Sequence, residues 1–427
     1  MIIHIVEQGE TIWSIAARYQ ISPQRIISDN GLENTRNLVI GQALVILQPE
    51  VIHTVQRGET LTSIAQMYGT TEMELIQNNP VLVSSPYLRA GEQLVIRFQG
   101  EKGRELTVNG YAYPHINRSV LYRALPYLTY LTIFGYGFTM EGILIPTPDE
   151  ELIQIARQFQ VGPVMLISSI TEDGNFSSER ASQLFQNAEL QNRVLDAVIE
   201  TMQQKGYIGL DIDFEFIEAE DEEAYLAFLE NAAARLHAEG YFMNADLAPK
   251  TSSSQAGLLY EAHNYAAVGA IADTVLVMTY EWGYTYGPPM AVAPLNKVRE
   301  VLNYAVTEIP PEKILMGIPN YGYDWPLPFE KGTTRAETIG NQQAIEIAAR
   351  YGSTIQYDTL SASPHFEYYA PTGIKHVVWF EDARSIQAKL QLLEELQLLG
   401  AGYWNVMRPF AQNWAVLNAM HRIRKIT

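Results

Sequence analysis

The chain has 427 residues, 47% of them hydrophobic, and this length predicts more than one domain because single cores usually stop growing at about 250 to 300 residues. Its 48 acidic and 29 basic residues give a formal net charge of −19, which disfavours nucleic acid and anionic membrane surfaces as partners. There is no cysteine, and the eight histidines lack the paired spacing of a zinc helix, so we expect neither a metal nor another cofactor.

The N-terminus, MIIHIVEQGETIW, lacks the basic region and long apolar core of a signal peptide. No later stretch holds about 18 consecutive apolar residues, the length that a membrane-spanning helix needs. We therefore expect a protein that is not exported by an ordinary signal peptide and that does not cross a membrane.

An internal repeat occupies the N-terminal part of the chain. The stretch IVEQGETIWSIAARYQISPQRIISDNG (5–31) matches TVQRGETLTSIAQMYGTTEMELIQNNP (54–80), and GQALVI (41–46) matches GEQLVI (91–96). Each copy reads as a short strand, a Gly-Glu-Thr turn that caps a helix, two short amphipathic helices and a closing strand. The sequence therefore predicts two compact βααβ units, at 1–48 and 51–98.

The repeated pattern resembles the LysM module, which binds N-acetylglucosamine-containing glycans such as peptidoglycan and chitin. In that family the sugar lies between the first strand-helix turn and the loop before the last strand. The resemblance implies glycan contacts at Gly9, Thr11 and Asn30 in the first copy and at Gly58, Thr60 and Asn79 in the second. The alternative is that these Gly and Thr residues only shape turns and the Asn residues only cap. Two modules in tandem suit a repeating polymer, because the second contact becomes intramolecular.

From about residue 105 the chain alternates strand-like and helical segments. The strand candidates are 106–113, 127–138, 163–170, 206–216, 240–249, 273–283, 313–323 and 400–406. Eight strands alternating with helices predict an α/β fold, a closed (β/α)8 TIM barrel over residues 104–427. The long, turn-rich segment between the seventh and eighth strands predicts a small β-rich insertion at about 326–380. An open doubly wound sheet is the alternative, but no Gly-rich phosphate loop follows the first strand.

The stretch GYIGLDIDFEF (206–216) places three acids in an apolar strand. Asp211, Asp213 and Glu215 share one face of that strand, about 6.6 Å apart at ~3.3 Å rise per residue. Crowded carboxyls in a barrel interior cannot all ionise cheaply, so at least one pKa is expected to be raised, which suits a general acid. The alternatives are a capping or salt-bridged strand end, or a metal site, which would need ligands from several loops.

General acid catalysis beside strand ends that carry Tyr and Trp indicates a sugar substrate. Ordinary glycosidases place two carboxyls on opposite sides of the bond, whereas Asp213 and Glu215 project the same way from one strand. The nucleophile is therefore expected to be the carbonyl oxygen of a 2-acetamido group, which restricts the substrate to N-acetylhexosamines.

The acidic strand resembles the D-x-x-D-x-D-x-E signature of glycoside hydrolase family 18, the chitinases and related endoglucosaminidases. The resemblance implies that Glu215 is the acid/base, that Asp213 orients the acetamido group and that Asp211 supports Asp213. Ile208 replaces the first Asp of the signature. Its parity is opposite to that of the three acids, so we expect it to face the helices and to leave the chemistry intact.

Other positions fit the same family. The stretch MTYE (278–281) is similar to its M-x-Y-D motif, which implies that Tyr280 is catalytic and donates to the acetamido oxygen. The expected substrate-binding residues are Tyr111, Met278, Glu281, Asn320, Tyr321 and Trp404, with Glu281 in place of the usual Asp. Barrel packing is the alternative for Tyr111 and Trp404. The S-x-G-G motif of the third strand is not kept, since Ser168 and Ser169 stand there.

The two modules followed by this barrel resemble family 18 enzymes that lyse spore cortex fragments. That resemblance implies a retaining, substrate-assisted N-acetylglucosaminidase of cortical peptidoglycan, held on the glycan by its modules and located at the spore coat or surface. A cytoplasmic location is the alternative. A chitinase and a non-catalytic glycan-binding coat protein are the alternative functions. We also expect that deletion of residues 1–100 leaves cleavage of short soluble fragments largely intact, and the oligomeric state is not predicted.

Overall fold

The computed structural model describes residues 1–32, 37–83, 85, 87–171 and 174–426. The other residues of the predicted modules and barrel, including Thr427, lie outside the described residues. Across the described part, no helix is both long enough and apolar enough to cross a membrane.

Module 1 is the first repeat, and its elements are β1 (Ile2–Ile5), α1 (Ile12–Tyr19), α2 (Pro23–Asn30) and β2 (Ala43–Ile46). β1 and β2 pair antiparallel. The Thr11 hydroxyl caps α1 by accepting from the Ser14 backbone N–H at 3.0 Å, and Ser22 caps α2 ahead of a proline.

Module 2 repeats this plan with β3 (Pro49–Thr54), α3 (Leu61–Tyr68), α4 (Glu72–Asn78) and β4 (Gln93–Phe98). The repeat extends to a buried polar network. In module 1 His4 contacts the Glu10 carboxylate at 2.9 Å and the Tyr19 hydroxyl at 3.1 Å, and in module 2 His53, Glu59 and Tyr68 form the same contacts. These contacts explain why the Glu and Tyr positions recur in both copies.

Seven parallel strands form most of the barrel. They are β5 (Glu105–Ala112), β6 (Tyr130–Tyr136), β7 (Gly162–Ser168), β8 (Gly209–Asp213), β9 (Phe242–Leu247), β10 (Thr274–Val277) and β11 (Ile314–Pro319). The helices between them are α5 (Arg118–Ala124), α6 (Glu150–Gln158), α7 (Ser178–Gln186), α8 (Ala188–Lys205), α9 (Glu222–Ala238), α10 (Tyr265–Ile271) and α11 (Leu295–Glu308). Several strands are shorter than predicted because their apolar runs continue into buried loops.

The insertion follows the seventh barrel strand, as predicted. Its five strands are β12 (Gly322–Pro326), β13 (Glu337–Ile339), β14 (Gln356–Asp358), β15 (Ser363–Tyr369) and β16 (Lys375–Trp379), in one antiparallel sheet. The structure adds a helix that the sequence analysis did not predict, α12 (Asn341–Tyr351), which packs its apolar side on this sheet. The insertion begins a few residues earlier than 326 because the chain turns directly from β11 into β12.

The barrel closes after the insertion. The chain continues through α13 (Ala383–Glu395), β17 (Gly400–Trp404), α14 (Ala411–Met420) and the short strand β18 (Arg422–Ile423). β17 pairs in parallel with both β11 and β5, which completes an eight-stranded closed barrel within the described residues and confirms the predicted fold class. β18 adds an unpredicted strand beside the start of β5.

Both modules dock on the barrel through α14. The Gln412 amide donates to Asn30 Oδ1 at 3.1 Å and to the Ala43 carbonyl at 2.7 Å, and the Asn418 amide donates to Asn78 Oδ1 at 3.0 Å. Apolar module side chains join the barrel's core cluster, namely Ala43, Val45, Leu47, Val95 and Phe98. The modules are therefore packed parts of one body, which argues against the expectation that residues 1–100 can be removed without consequence for the barrel.

Module 1 also touches the insertion. The Ile355 N–H donates to the Ile40 carbonyl at 2.9 Å. Gly41 has φ +83°, and a Cβ there would lie 1.9 Å from the Ile355 carbonyl oxygen, so only glycine fits this contact. Module 1 thus contacts two separate parts of the barrel domain, namely α14 and the insertion.

Candidate active site

The three acids of the stretch GYIGLDIDFEF lie at, or just beyond, the carboxyl end of β8. Asp211 and Asp213 are buried on β8, and Glu215 follows two residues after its end, where it is partly exposed. Phe216 then takes a left-handed φ of 56°, which turns the chain away from the barrel. The strand thus carries two of the acids in the interior and delivers the third to the barrel mouth, where TIM-barrel sites lie.

Burial dominates the electrostatics of these acids. It raises the pKa of Glu215 to about 7, with the charge of Glu281 as a second cause. It also raises the pKa of Asp213 well above its ordinary value, with Glu215 and Asp211 adding to the effect, and it raises the pKa of Asp211. A carboxyl with a pKa near 7 is still protonated in a large fraction of molecules at neutral pH, as a general acid requires.

The structure surrounds Asp211 with residues that the sequence analysis did not identify. Asn244 on β9 lies opposite Asp211 and donates from Nδ2 to Asp211 Oδ1 at 2.7 Å and to Asp246 Oδ1 at 3.0 Å. The Tyr111 hydroxyl donates to Asp246 Oδ1 at 3.0 Å. Asn244 and Asp246 are polar residues at alternate positions of an apolar strand, the same signal that the β8 acids give. Tyr111 is thus a buried partner of the acids.

A buried histidine fixes the backbone just before Glu215. His263 Nδ1 accepts from the Ala248 N–H at 2.8 Å, and its Nε2 donates to the Phe214 carbonyl at 3.2 Å. These two bonds define the neutral tautomer, and burial lowers its pKa to about 4. His263 lies far along the chain from Phe214, and no local sequence pattern predicts that the two residues are in contact.

Aromatic side chains form the wall of the site. Trp404, partly exposed at the end of β17, contacts Tyr111, Tyr113 and Phe134 with ring centroids 5.9, 6.0 and 5.4 Å away. An open cavity of about 540 Å³ continues from Tyr113 and Phe134 past His115. Trp404, expected to bind substrate, thus packs in an aromatic cluster that also contains Tyr113 and Phe134, which the sequence analysis did not identify.

The loop after β10 carries the MTYE residues. Tyr280 is almost completely buried, its neighbour Gly317 leaves room for the ring, and Met278 is half-buried beside the cleft. Glu281 has a left-handed φ of 68° and is exposed in the cleft. Its carboxylate accepts from the Tyr321 hydroxyl and, at 3.0 Å, from the Tyr323 hydroxyl. Tyr321, which the sequence analysis expected to touch substrate, is buried, and its hydroxyl bonds the Glu281 carboxylate.

Asn320 has a different placement from the one expected. It is 3% exposed, and its amide donates to the Asn405 and Arg408 carbonyls at 3.0 and 2.9 Å. These bonds hold the loop that follows Trp404. The geometry therefore favours a role in positioning that loop over direct substrate contact.

The candidate glycan residues of the modules fall into two groups. Gly9, Thr11 and their counterparts Gly58 and Thr60 lie exposed on the turns before α1 and α3.

Asn30 and Asn79 are buried, and each side chain bonds the backbone of the last module strand, at Val45 and Val95 respectively. Their amides are thus engaged inside the modules, which favours the structural alternative for these two residues. Part of the expected groove, at 33–36, 84 and 86, lies outside the described residues.

The departure from the signature at Ile208 lies away from the acids. Ile208 precedes β8, and its side chain packs closely on Gly162. A Cβ added at Gly162 would lie 2.1 Å from Ile208 Cδ1. On β7, Ser168 pairs with Asp213 in register and has a buried hydroxyl without a hydrogen-bond partner. Among the described residues, no group of three or more His, Cys, Asp or Glu side chains could hold a metal ion.

Removal of the Glu281 charge is expected to shift the pH dependence of activity. Glu215 must be protonated to act as an acid, so activity is present below its pKa of about 7 and falls as pH rises through it. Glu281→Gln removes a negative charge that favours the protonated form of Glu215, so the pKa of Glu215 is expected to fall. The alkaline limb of the kcat profile then moves to lower pH. The measurement is kcat against pH. Glu300→Gln, an exposed acid on α11, is the control, and an unmoved limb in Glu281→Gln would contradict this coupling.

A TIM barrel whose mouth holds a carboxyl with a raised pKa, with buried acids behind it and an aromatic wall beside it, is the arrangement expected of a glycosidase. The chain belongs to glycosyl hydrolases family 18, whose sequence profile matches residues 124–408. The LysM domain profile matches residues 4–47 and 53–97.

The chain is similar over nearly its whole length to enzymes of spore-forming bacteria. It is 40% identical to the cortical fragment-lytic enzyme of Bacillus anthracis, covering 96% of both chains, and 40% identical to that of Bacillus subtilis, covering 100% of both. The crystal structure of the Bacillus cereus spore cortex-lytic enzyme SleL superposes with a TM-score of 0.84 at 38% identity, covering 99% of this chain and 98% of that one.

Proposed function

We propose that this glycosidase is a spore cortex peptidoglycan hydrolase, a retaining N-acetylglucosaminidase that cleaves after N-acetylglucosamine in cortex fragments during germination. The names of its full-length relatives support this substrate. The observation that carries the mechanism is that Asp213 and Glu215 emerge from one strand end, so they do not flank a glycosidic bond from opposite sides.

In the first step, Glu215 gives its proton to the leaving glycosidic oxygen. Asp213 and Tyr280 hold the substrate's 2-acetamido group so that its carbonyl oxygen attacks the anomeric carbon from the opposite face. The C–O bond breaks as the oxazolinium ring closes. Glu215, now ionised, takes a proton from a water molecule, whose oxygen bonds to the anomeric carbon. The bond between that carbon and the acetamido oxygen breaks, which opens the ring, and the product keeps the starting anomeric configuration.

Trp404 forms the apolar floor under the reacting sugar, with Tyr111 holding the acids behind it. Met278 and Glu281 border the binding position of the next sugar along the chain. The hydroxyls of Tyr321 and Tyr323 orient the Glu281 carboxylate. The two modules bind N-acetylglucosamine-containing glycan through the turns at Gly9 to Thr11 and Gly58 to Thr60, and they keep the polymer near the cleft. We place the protein at the spore coat or spore surface.

Parallel digestion of purified cortex fragments and of chitooligosaccharides tests the substrate. We expect cortex fragments to be cleaved at least about tenfold more efficiently, in kcat/KM, with N-acetylglucosamine at the new reducing ends by mass spectrometry. Nuclear magnetic resonance of the first-formed anomer is expected to show retention.

Three outcomes of the same digestion contradict parts of this proposal. Preference for chitooligosaccharides would make the protein a chitinase with the same chemistry. Absence of turnover on both substrates would favour a glycan-binding coat protein. An inverted first-formed anomer would rule out the acetamido mechanism while leaving the substrate assignment intact.

A further inference from the structure

The cavity of about 540 Å³ lies beside the aromatic wall of the active site. Tyr113 and Phe134 line it, and their rings contact Trp404 with centroids 6.0 and 5.4 Å away. Burial raises the pKa of the Tyr113 hydroxyl, and the charges of Asp213 and Glu215 raise it further. The cavity therefore begins within electrostatic reach of the proposed catalytic carboxyls.

The lining of the cavity combines ring surfaces with one ion pair. Pro146, Pro148 and the exposed His115 add to the rings that face it, and Arg118 and Glu151 form the ion pair. Arg118 is the one Lys or Arg among the described residues that line the cavity. The volume lies in the range of about 300 to 1,000 Å³ that small-ligand sites occupy. These features suit a sugar residue that carries an anionic substituent.

Backbone carbonyls hold the Arg118 guanidinium in place. Its Nη1 donates to the Pro114 and Ile116 carbonyls at 3.1 and 2.7 Å. Its Nη2 donates to one carboxylate oxygen of Glu151 at 2.6 Å, and its buried Nε has no hydrogen-bond partner among the described residues. One donor of the guanidinium is therefore unpaired, whereas arginine can bond a carboxylate through two parallel N–H···O bonds.

Glu151 is a weak partner for this guanidinium. Its side chain is 63% exposed and that of Arg118 is 33% exposed, so water screens the ion pair and its contribution is small. A ligand carboxylate can therefore replace Glu151 at little cost, while the two backbone carbonyls keep the guanidinium in position.

We propose that this cavity binds the muramic acid residue next to the reacting N-acetylglucosamine, and that Arg118 bonds a carboxylate of its lactyl substituent in place of Glu151. This proposal rests on the proposed peptidoglycan substrate, in which the two sugars alternate and muramic acid lies on either side of the reacting sugar. The carboxylate belongs either to the lactyl group itself or to a peptide attached to it. Arg118 then helps to distinguish peptidoglycan from chitin, whose sugars carry no carboxylate.

Calorimetry of soluble tetrasaccharides tests this contact, in the Glu215→Gln background so that they are not consumed. N-acetylglucosamine and muramic acid alternate in them, and one carries free lactyl carboxyls and the other attached peptides. Arg118→Gln is expected to raise the Kd about tenfold for the fragment whose carboxylate it binds, the scale of a lost charge-assisted hydrogen bond. The Kd of the same fragment with its carboxyls converted to methyl amides should stay within about twofold.

Arg235→Gln is the matched control, and it should change no Kd. Arg235 also donates to a backbone carbonyl and to an exposed carboxylate, those of Asn192 and Asp196, but it lies on the outer helices α8 and α9. If Arg118→Gln weakened charged and amidated fragments equally, Arg118 would only shape its loop, and the proposal would be overturned.

A second variant keeps the proposal testable if Arg118→Gln does not fold. Glu151→Gln removes the anion that competes with the ligand, so the Kd of the charged fragment is expected to fall about two- to fivefold, with no change for the amidated one. Glu150→Gln is the control, because it removes the same charge one residue away from a side chain that is also 63% exposed and does not line the cavity. No gain in Glu151→Gln, or an equal gain in both variants, contradicts the proposal.

The two charged fragments distinguish the sources of the carboxylate. A response of the fragment with free lactyl groups assigns the lactyl carboxylate, a response of the peptide-bearing fragment alone assigns a peptide carboxylate, and a response of neither overturns the proposal. Binding is measured without turnover, so it is independent of the cleavage assay. Absence of cortex cleavage would contradict the proposed function alone, and cleavage with Kd values indifferent to Arg118 would contradict this inference alone.

Discussion

Glu215→Gln is expected to lower kcat by about 10² to 10⁴, the usual contribution of a positioned general acid. The substitution keeps the shape of the side chain but removes the proton that the leaving oxygen needs. Removal of this charge also relieves repulsion on Asp213, whose pKa Glu215 raises, so the folded protein should be at least as stable as before. Glycan binding is therefore expected to survive, with KM changed little.

Kinetics on cortex fragments and thermal unfolding of the same preparation check this result. Glu220→Gln, an exposed acid in the turn after β8, is a suitable control and should keep full activity. If Glu215→Gln cleaved at the unaltered rate, Glu215 would not be the acid. Loss of activity together with a much lower midpoint temperature of thermal unfolding would instead indicate that Glu215 has a structural role.

Removal of residues 1–100 is expected to destabilise the barrel on the order of 5 kcal/mol, enough to leave much of the truncated chain aggregated or unfolded. The deletion removes module side chains such as Val45, Leu47 and Phe98 from the core cluster that the modules share with the barrel. It also exposes Gln412 and Asn418, which are buried in the intact chain with the modules as partners. Cleavage of short soluble fragments should then fall along with polymer binding.

Chemical denaturation of the intact and truncated chains measures this effect. The double variant Gln412→Ala with Asn418→Ala, in the full chain, should destabilise in the same direction by about 2 kcal/mol, since it removes both amides but keeps the apolar contacts. Arg97→Gln breaks only the exposed ion pair with Glu50 and should leave the unfolding midpoint unchanged. A truncated chain as stable as the intact protein would mean that the module interface contributes little.

Periodic features of this chain were predictable from the sequence. The repeat gave both modules because its Gly and Thr positions recur at one offset, and the alternation of Asp211, Asp213 and Glu215 placed them on one face of a strand. The number of strand-helix units then gave the closed barrel, which the pairing of β17 with β5 confirms. Each of these inferences depends on a pattern that can be read along the chain without knowing which distant residues touch.

Features that depend on distant residues were not predictable in this way. Nothing near Phe214 indicates that His263 holds its carbonyl, and nothing near Asn30 indicates that Gln412 binds it. Asn30 reads equally well as a sugar ligand or as a structural amide until its partners are known. Asn244 and Asp246 could have been found, since they repeat on β9 the alternation seen on β8.

The double attachment of α14 has a consequence for how the enzyme meets a long glycan. Gln412 and Asn418 tie one helix to both modules, and this helix follows directly on the strand that ends in Trp404. The modules are therefore not joined to the barrel by a flexible linker alone. Packed residues fix the distance between the module surfaces and the cleft. A glycan strand bound to both modules is therefore expected to reach the cleft at a constant distance from the module surfaces.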